Sequence, residues 1–263
     1  VLDRPPVSQG WRTTDDEEIA LRRWRGRTEI VAIEALEPEH PIFGTFRARS
    51  GSGSSYDVEI RSLDGLTNSC GCIDHRANGL GTCKHIEGVL AALRQRGVRA
   101  FRTASASGSP RVEVSLDRRD AARPAIAWPV SGGGPRIARA WLAPFLKRDG
   151  TLYDDPQKIA TLVDAWQTAP AKVRRCVRIS RHFGPWLERL RRLRSREQAS
   201  VKFLTEVERG KANYDLVRLP LLPYQREGML HLAFGERALL ADEMGLGKTV
   251  QAIAACELLA QRK

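Results

Sequence analysis

Tyr56, Val58 and Ile60 alternate with Asp57, Glu59 and Arg61, the two-residue period of a half-buried strand. Apolar alternation predicts two further strands before it, so that Ile30 to Leu36, Phe43 to Arg49 and Tyr56 to Leu63 form a small antiparallel sheet. Gly51 to Ser55 supplies the turn between the last two. The period then changes: Ile86, Val89, Leu90 and Leu93 recur at helical spacing, predicting a helix that packs on the sheet. Residues 103–110 and 131–135, rich in Ala, Ser, Gly and Pro, read as loops or linkers. Beyond them the pattern is mostly helical, with segments Ile137 to Lys147, Pro156 to Thr168 and Trp186 to Arg209; in the last, Leu187, Leu190, Leu193, Val201, Leu204 and Val207 mark the apolar stripe. Ala238 to Ala241 is a short apolar run of the kind a buried parallel strand shows, and Val250, Ile253, Ala254, Leu258 and Leu259 return to helical spacing. The fold class expected is α+β, divided at 1–100, 101–135, 136–211 and 212–263.

Composition adds little to this picture and charge adds more. With 42% hydrophobic and 28% charged residues the 263-residue chain suits a globular protein of one or two domains. No apolar stretch approaches the roughly eighteen residues that span a membrane. The formal net charge of +12 is unevenly spread. Residues 171–211 hold 13 basic against 4 acidic side chains, whereas 1–70 hold 9 against 12. Arg174, Arg175, Arg178 and Arg181, then Arg189, Arg191, Arg192, Arg194 and Arg196, could line a phosphate backbone and bind it in a salt-sensitive, sequence-independent way. A solvated helix face, or a surface docking on acidic protein, is the competing reading. Asp15 to Glu18 reads as a solvated helix start, and Trp128, Trp141, Trp166 and Trp186 as packing residues before base-stacking ones.

Three of the five cysteines gather with a histidine as Cys70-x-Cys72 and, ten residues on, Cys83-x-His85. Four soft or borderline ligands at that spacing suit a tetrahedral Zn²⁺ with no open position, a structural site. An odd cysteine count without a leader or spanning segment argues against disulfides and for a cytoplasmic chain. His75, in the spacer, could ligate in principle but reads as a solvent or loop residue; His40, His182 and His231 have no partners at ligand spacing. The pattern resembles the SWIM zinc finger over about residues 54–94, and the resemblance implies His85 as the fourth ligand. In so small a unit the metal substitutes for a core, so its removal is expected to unfold the finger. With few basic residues, Arg76 and Lys84 among them, the finger is expected to serve structure or protein contacts before nucleic acid.

Near the C-terminus, Asp242, Glu243, Met244, Gly245, Leu246, Gly247, Lys248 and Thr249 form a glycine loop between the apolar run and the helix. Such a loop can point successive N–H groups at phosphate oxygens, with Lys248 reaching the β- and γ-phosphates and Thr249 on Mg²⁺. Asp242 stands where the strict pattern has glycine. Together with Pro223, Tyr224, Gln225 and Gly228, the stretch resembles the first two ATPase motifs of the Swi/Snf family of superfamily-two, helicase-like DNA translocases. The resemblance covers about residues 219–255. It implies the opening strand, loop and helix of a RecA-like lobe, ATP and Mg²⁺ as ligands, Gln225 reading adenine, Lys248 as the catalytic residue, and duplex DNA as partner. Hydrolysis also requires an acidic motif and arginines that are expected beyond Lys263; the chain reads as an N-terminal piece, cut at both ends and inactive alone. A bacterial source would make it nucleoid-associated. The alternative is a zinc-dependent module that binds nucleic acid or protein and has no enzymatic activity.

Overall fold

The computed structural model describes residues 13–118, 122–130 and 136–262. The chain divides into two compact units, Val1–Gly184 and Pro185–Lys263.

The first unit opens with helix α1 (Asp15–Glu29), started by Thr14, whose hydroxyl accepts from the Glu17 N–H while the Glu17 carboxylate accepts from the Thr14 N–H. Asp15, Asp16, Glu17 and Glu18 form its first turn, where the helix dipole favours negative charge. Strands β1 (Ile30–Ala35), β2 (Thr45–Ser50), β3 (Ser55–Glu59) and β4 (Ser69–Cys70) pair in that order, all antiparallel. The β2–β3 turn closes through Gly53, whose φ of 86° lies in the left-handed region that glycine adopts without cost. Phe46, Ala48, Val58 and Ile60 fill the sheet's buried face. Against it pack the short α2 (Ile73–Ala77) and the longer α3 (Lys84–Arg96), whose Ile86, Val89 and Leu93 complete the core.

Helices α1 and α3 cross at a pair of glycines. A Cβ on Gly26 would fall 2.6 Å from the Gly88 nitrogen, and one on Gly88 would fall 2.9 Å from the Gly26 carbonyl oxygen and 2.7 Å from Ile30 Cγ1. The backbones therefore touch, and the approach brings Lys84 Nζ to within 2.6 Å of the Glu29 carboxylate.

The segment expected to be loop and linker is built otherwise. Helix α4 (Val98–Ser107) covers most of 103–110, anchored by buried Phe101, and strands β5 (Val112–Asp117) and β6 (Arg123–Ala127) follow it. Small Ala and Ser residues are compatible with helix once one side chain anchors the turn. Residues 131–135 lie outside those described. Helices α5 (Arg136–Leu142), α6 (Pro156–Gln167) and α7 (Ala171–Arg174) occupy the expected helical stretch, but it also contains strand β7 (Val177–Ile179). β7 runs parallel to β5, giving a second sheet of order β6-β5-β7. Trp141 meets Trp166 edge-on at 5.9 Å, and Arg139 lies 4.8 Å over Trp128, so these indoles serve packing.

The second unit contains most of α8 (Phe183–Glu208), with α9 (Pro223–Phe234) and α10 (Lys248–Gln261). Phe203, Leu221, Met229, Ala233, Ala254, Ala255 and Leu258 form its core. The stripe expected along α8 is only partly used: Leu187 is buried, whereas Leu193, Val201 and Leu204 are exposed and Phe203 is the anchor. Ala238 to Ala241 is not a strand. The run has no strand partner among the described residues, and Leu239 is 82% exposed, because an extended segment gains stability only from a neighbour to pair with.

Candidate metal centre and phosphate loop

Cys70 ends β4, Cys72 caps α2, and Cys83 and His85 sit at the start of α3. One sulfur or nitrogen from each comes within 4.8 Å of all the others, and all four residues are buried. Zinc–sulfur bonds of about 2.3 Å in a tetrahedron require sulfurs just under about 4 Å apart, so the group needs little closure to hold an ion. The imidazole is oriented for it. His85 Nδ1 lies 3.9 Å from Cys83 Sγ, and Nε2 lies 3.0 Å from Ser50 Oγ, so the Ser50 hydroxyl fixes the outer nitrogen while the inner one faces the sulfurs. The Tyr56 ring, 4.8 Å from the imidazole, walls its other side.

Hydrogen bonds from Cys70 and Cys83 push the Cys72 thiol down, and the His75 N–H, 3.3 Å from Cys72 Sγ, adds to this. Its hydrogen bond to Cys72 pushes Cys70 up, and burial pushes Cys83 up. One thiolate is therefore comfortable and three are not without a cation, the electrostatic condition of a metal site.

His75 is not a solvent or loop residue. It lies in α2, 2% exposed, and neither ring nitrogen has a hydrogen-bond partner. Burial and then the charge of Arg118 push its pKa down to about 4, so it packs as a neutral ring beside the candidate metal group. His182 is also largely enclosed, 4.0 Å from Glu59; burial lowers its pKa against the pull of that carboxylate.

A buried ionic network, absent from the sequence reading, joins the two sheets of this unit. Glu59 receives Arg61, Ser180 Oγ at 2.6 Å and the Arg181 N–H at 2.9 Å. Glu113 receives Arg178 Nε at 2.7 Å, and Arg178 Nη2 donates to the Ile60 carbonyl at 2.6 Å. Burial alone would raise Glu59, but Arg61, His182 and these donors outweigh it and hold its pKa at about 2. Polar residues alternating along β5 were the available signal, and they conventionally read as solvent-facing.

In the second unit, the loop from Asp242 to Gly247 turns into α10 through Gly245 (φ 86°) and Gly247 (φ 74°). Lys248 Nζ folds back onto the Asp242 and Glu243 carbonyls at 2.9 Å each. Gln225, at the start of α9, accepts from the Leu222 N–H at 3.0 Å and donates to the Leu246 carbonyl at 3.3 Å. Gly247 itself requires glycine through its left-handed φ of 74°, and a Cβ there would also press on Gln225 Nε2. Asp242 is used where it stands: its carboxylate accepts from fully buried Gln251 at 3.0 Å. Gly228 leaves room for the same glutamine, whose Oε1 would lie 1.8 Å from a Cβ there. Glu243, Met244, Gly245 and Thr249 remain exposed.

The arginines of 171–211 divide into two sets. Arg178 is inside the buried network, Arg181 pairs with Asp57 at 3.6 Å, and Arg174 donates to the Gln167 carbonyl at 2.6 Å. Arg189 pairs with Glu236 at 2.8 Å, and Arg196 donates to the Gly235 carbonyl. Arg191, Arg192 and Arg194 are exposed with no ion pair among the described residues. No helix is long and apolar enough to cross a membrane among those described. Comparison with protein-family models, curated proteins and solved structures finds no match to this chain.

Proposed function

We propose that this chain is the N-terminal part of a DNA-dependent ATPase of the Swi/Snf, helicase-like kind, with a structural Zn²⁺ on Cys70, Cys72, Cys83 and His85 and ATP·Mg²⁺ received by Asp242 to Thr249. The observation that carries the nucleotide reading is the meeting of Gln225 with the loop, 21 positions away at Leu246, over a left-handed Gly247 that opens a helix. The loop's N–H groups and the α10 N-terminus favour phosphate oxygens. Lys248 would exchange two carbonyl acceptors for phosphate, a stronger, charge-assisted pairing. Thr249, exposed in the first turn, is free to face the cation that accompanies the phosphates. Duplex DNA is the proposed partner, on the face presenting Arg191, Arg192 and Arg194. The donor chemistry supports zinc: three thiolates and an imidazole in a buried, closed set suit it better than hard cations.

The completeness of the metal group favours a second reading, a zinc-organised binding module without catalysis. A fluorescent ATP analogue with Mg²⁺ separates the two. Saturable binding is expected, weakened at least about tenfold by Lys248→Ala through loss of a charged donor. Equal binding by wild type and variant, or none by either, leaves the module reading.

A further inference from the structure

Residues 88–112 contain five arginines and no acidic side chain. Arg111 is buried against Glu37 and the Phe43 carbonyl. Arg94, Arg96, Arg99 and Arg102, at the end of α3 and along α4, are exposed and have no ion pair among the described residues. Helical spacing sets Val98, Arg102 and Ala106 on one face of α4, with Phe101 and Ser105 beside them. That face lines an open hollow of about 540 Å³, closed on its other side by Arg94 and Asp64. A second hollow of about 380 Å³, between α1, α3 and the β3–β4 connection, shares Arg94 and Asp64 with the first, so the two adjoin. Its lining adds Arg23 and Arg27 to Leu63, Leu66 and Leu90. Both volumes fall in the roughly 300–1,000 Å³ of binding clefts.

Positive charge and exposed apolar surface coincide here. Val98 is 53% exposed and Leu66 38%, with arginines around both. The two carboxylates in the lining do not cancel the excess. Glu87 is held by Arg23 at 3.4 Å and the Thr82 hydroxyl at 2.7 Å, and Asp64 by the hydroxyls of Ser62 and Ser105 at 3.0 and 3.1 Å. Arg94 lies 4.9 Å over the Phe101 ring, a contact that leaves its N–H groups for an acceptor. We propose that the joined hollows dock an acidic segment of a partner protein, in which carboxylates alternate with apolar side chains. The carboxylates accept paired hydrogen bonds from Arg94 and Arg102, and the apolar side chains cover Val98 and Leu66. A nucleic-acid backbone would meet the same arginines but offers nothing apolar to those two residues. The inference lies in the first unit and is independent of the ATPase reading.

The test measures fluorescence anisotropy of a short labelled peptide alternating aspartate with leucine and phenylalanine, beside a counterpart with serine at the apolar positions and a short DNA duplex. The first peptide is expected to bind in a salt-sensitive way, and the serine counterpart at least about tenfold more weakly. Arg94→Gln combined with Arg102→Gln should weaken binding at least about tenfold, and Val98→Ser about threefold or more, each with an unchanged circular dichroism spectrum and melting temperature. Arg148→Gln, an exposed arginine that lines neither hollow, should bind as wild type does. Equal affinity for the serine counterpart, an Arg148→Gln loss as large as that of the paired variant, or no binding by folded wild type would each overturn the proposal. So would DNA that displaces the peptide, depends on Arg94 and Arg102 and ignores Val98→Ser, which would make this a phosphate surface.

Discussion

Ser50 is 35 positions from His85 in the chain and 3.0 Å from it in space. Its hydroxyl holds the imidazole's outer nitrogen, so Ser50→Ala should leave the four ligands in place yet lower zinc affinity about 10- to 100-fold, read by competition with a chromogenic chelator. Unchanged affinity would show that packing against Tyr56 alone orients the ring. Glu59 makes a different residue-level prediction. Its pKa, about 2 in the fold against an ordinary 4.5, means that the carboxylate stabilises fully above the higher value and that this stability is lost as pH falls through the lower. Glu59→Gln should therefore cost about 3–5 kcal/mol at pH 7 by leaving Arg61 without its closest counter-charge. The gap between variant and wild type in denaturant unfolding should narrow as pH is lowered from 4.5 toward 2. A gap constant with pH would mean that the carboxylate's charge is not what stabilises the network.

At the scale of elements, the α1–α3 crossing is the tightest joint. Gly88→Ala would drive a methyl into the Gly26 carbonyl oxygen and Ile30, atoms that cannot swing aside, so about 1–3 kcal/mol should be lost despite alanine's better helix propensity. A variant as stable as wild type in thermal melting would show that the helices can separate freely. Elements with local periodicity were legible beforehand: β1 to β3, α3, α6 and α8 lie within a few residues of where alternation or helical spacing placed them. The second sheet was not. Its central strand carries Glu113 and Ser115 inward, polar positions that read as solvent-facing until Arg178 from β7 arrives to neutralise the glutamate. Likewise Ala238 to Ala241 has the composition of a strand and, among the described residues, no neighbour to make it one.

Across the whole molecule, each unit has its own core, one around the cysteines and β2–β3, the other around Phe203 and Met229. Metal removal should then act unequally: with a strong chelator, amides of β4, α2 and α3 should lose most of their hydrogen-exchange protection, while those of α9 and α10 keep theirs. Uniform loss, or none, would contradict a structural metal confined to the first unit. By itself the sequence determined what depends on short spacing: the grouping of Cys70, Cys72, Cys83 and His85, the glycine loop with Lys248, and the strands and helices whose period survives without partners. Only the tertiary structure decided which charges stay in water. Arg178 looked like a phosphate ligand, yet it lies against Ile60, 118 positions away, and Ser180 reaches Glu59 across 121. The burial of a charge is set by the partners that the fold delivers from such distances, and no local pattern records them.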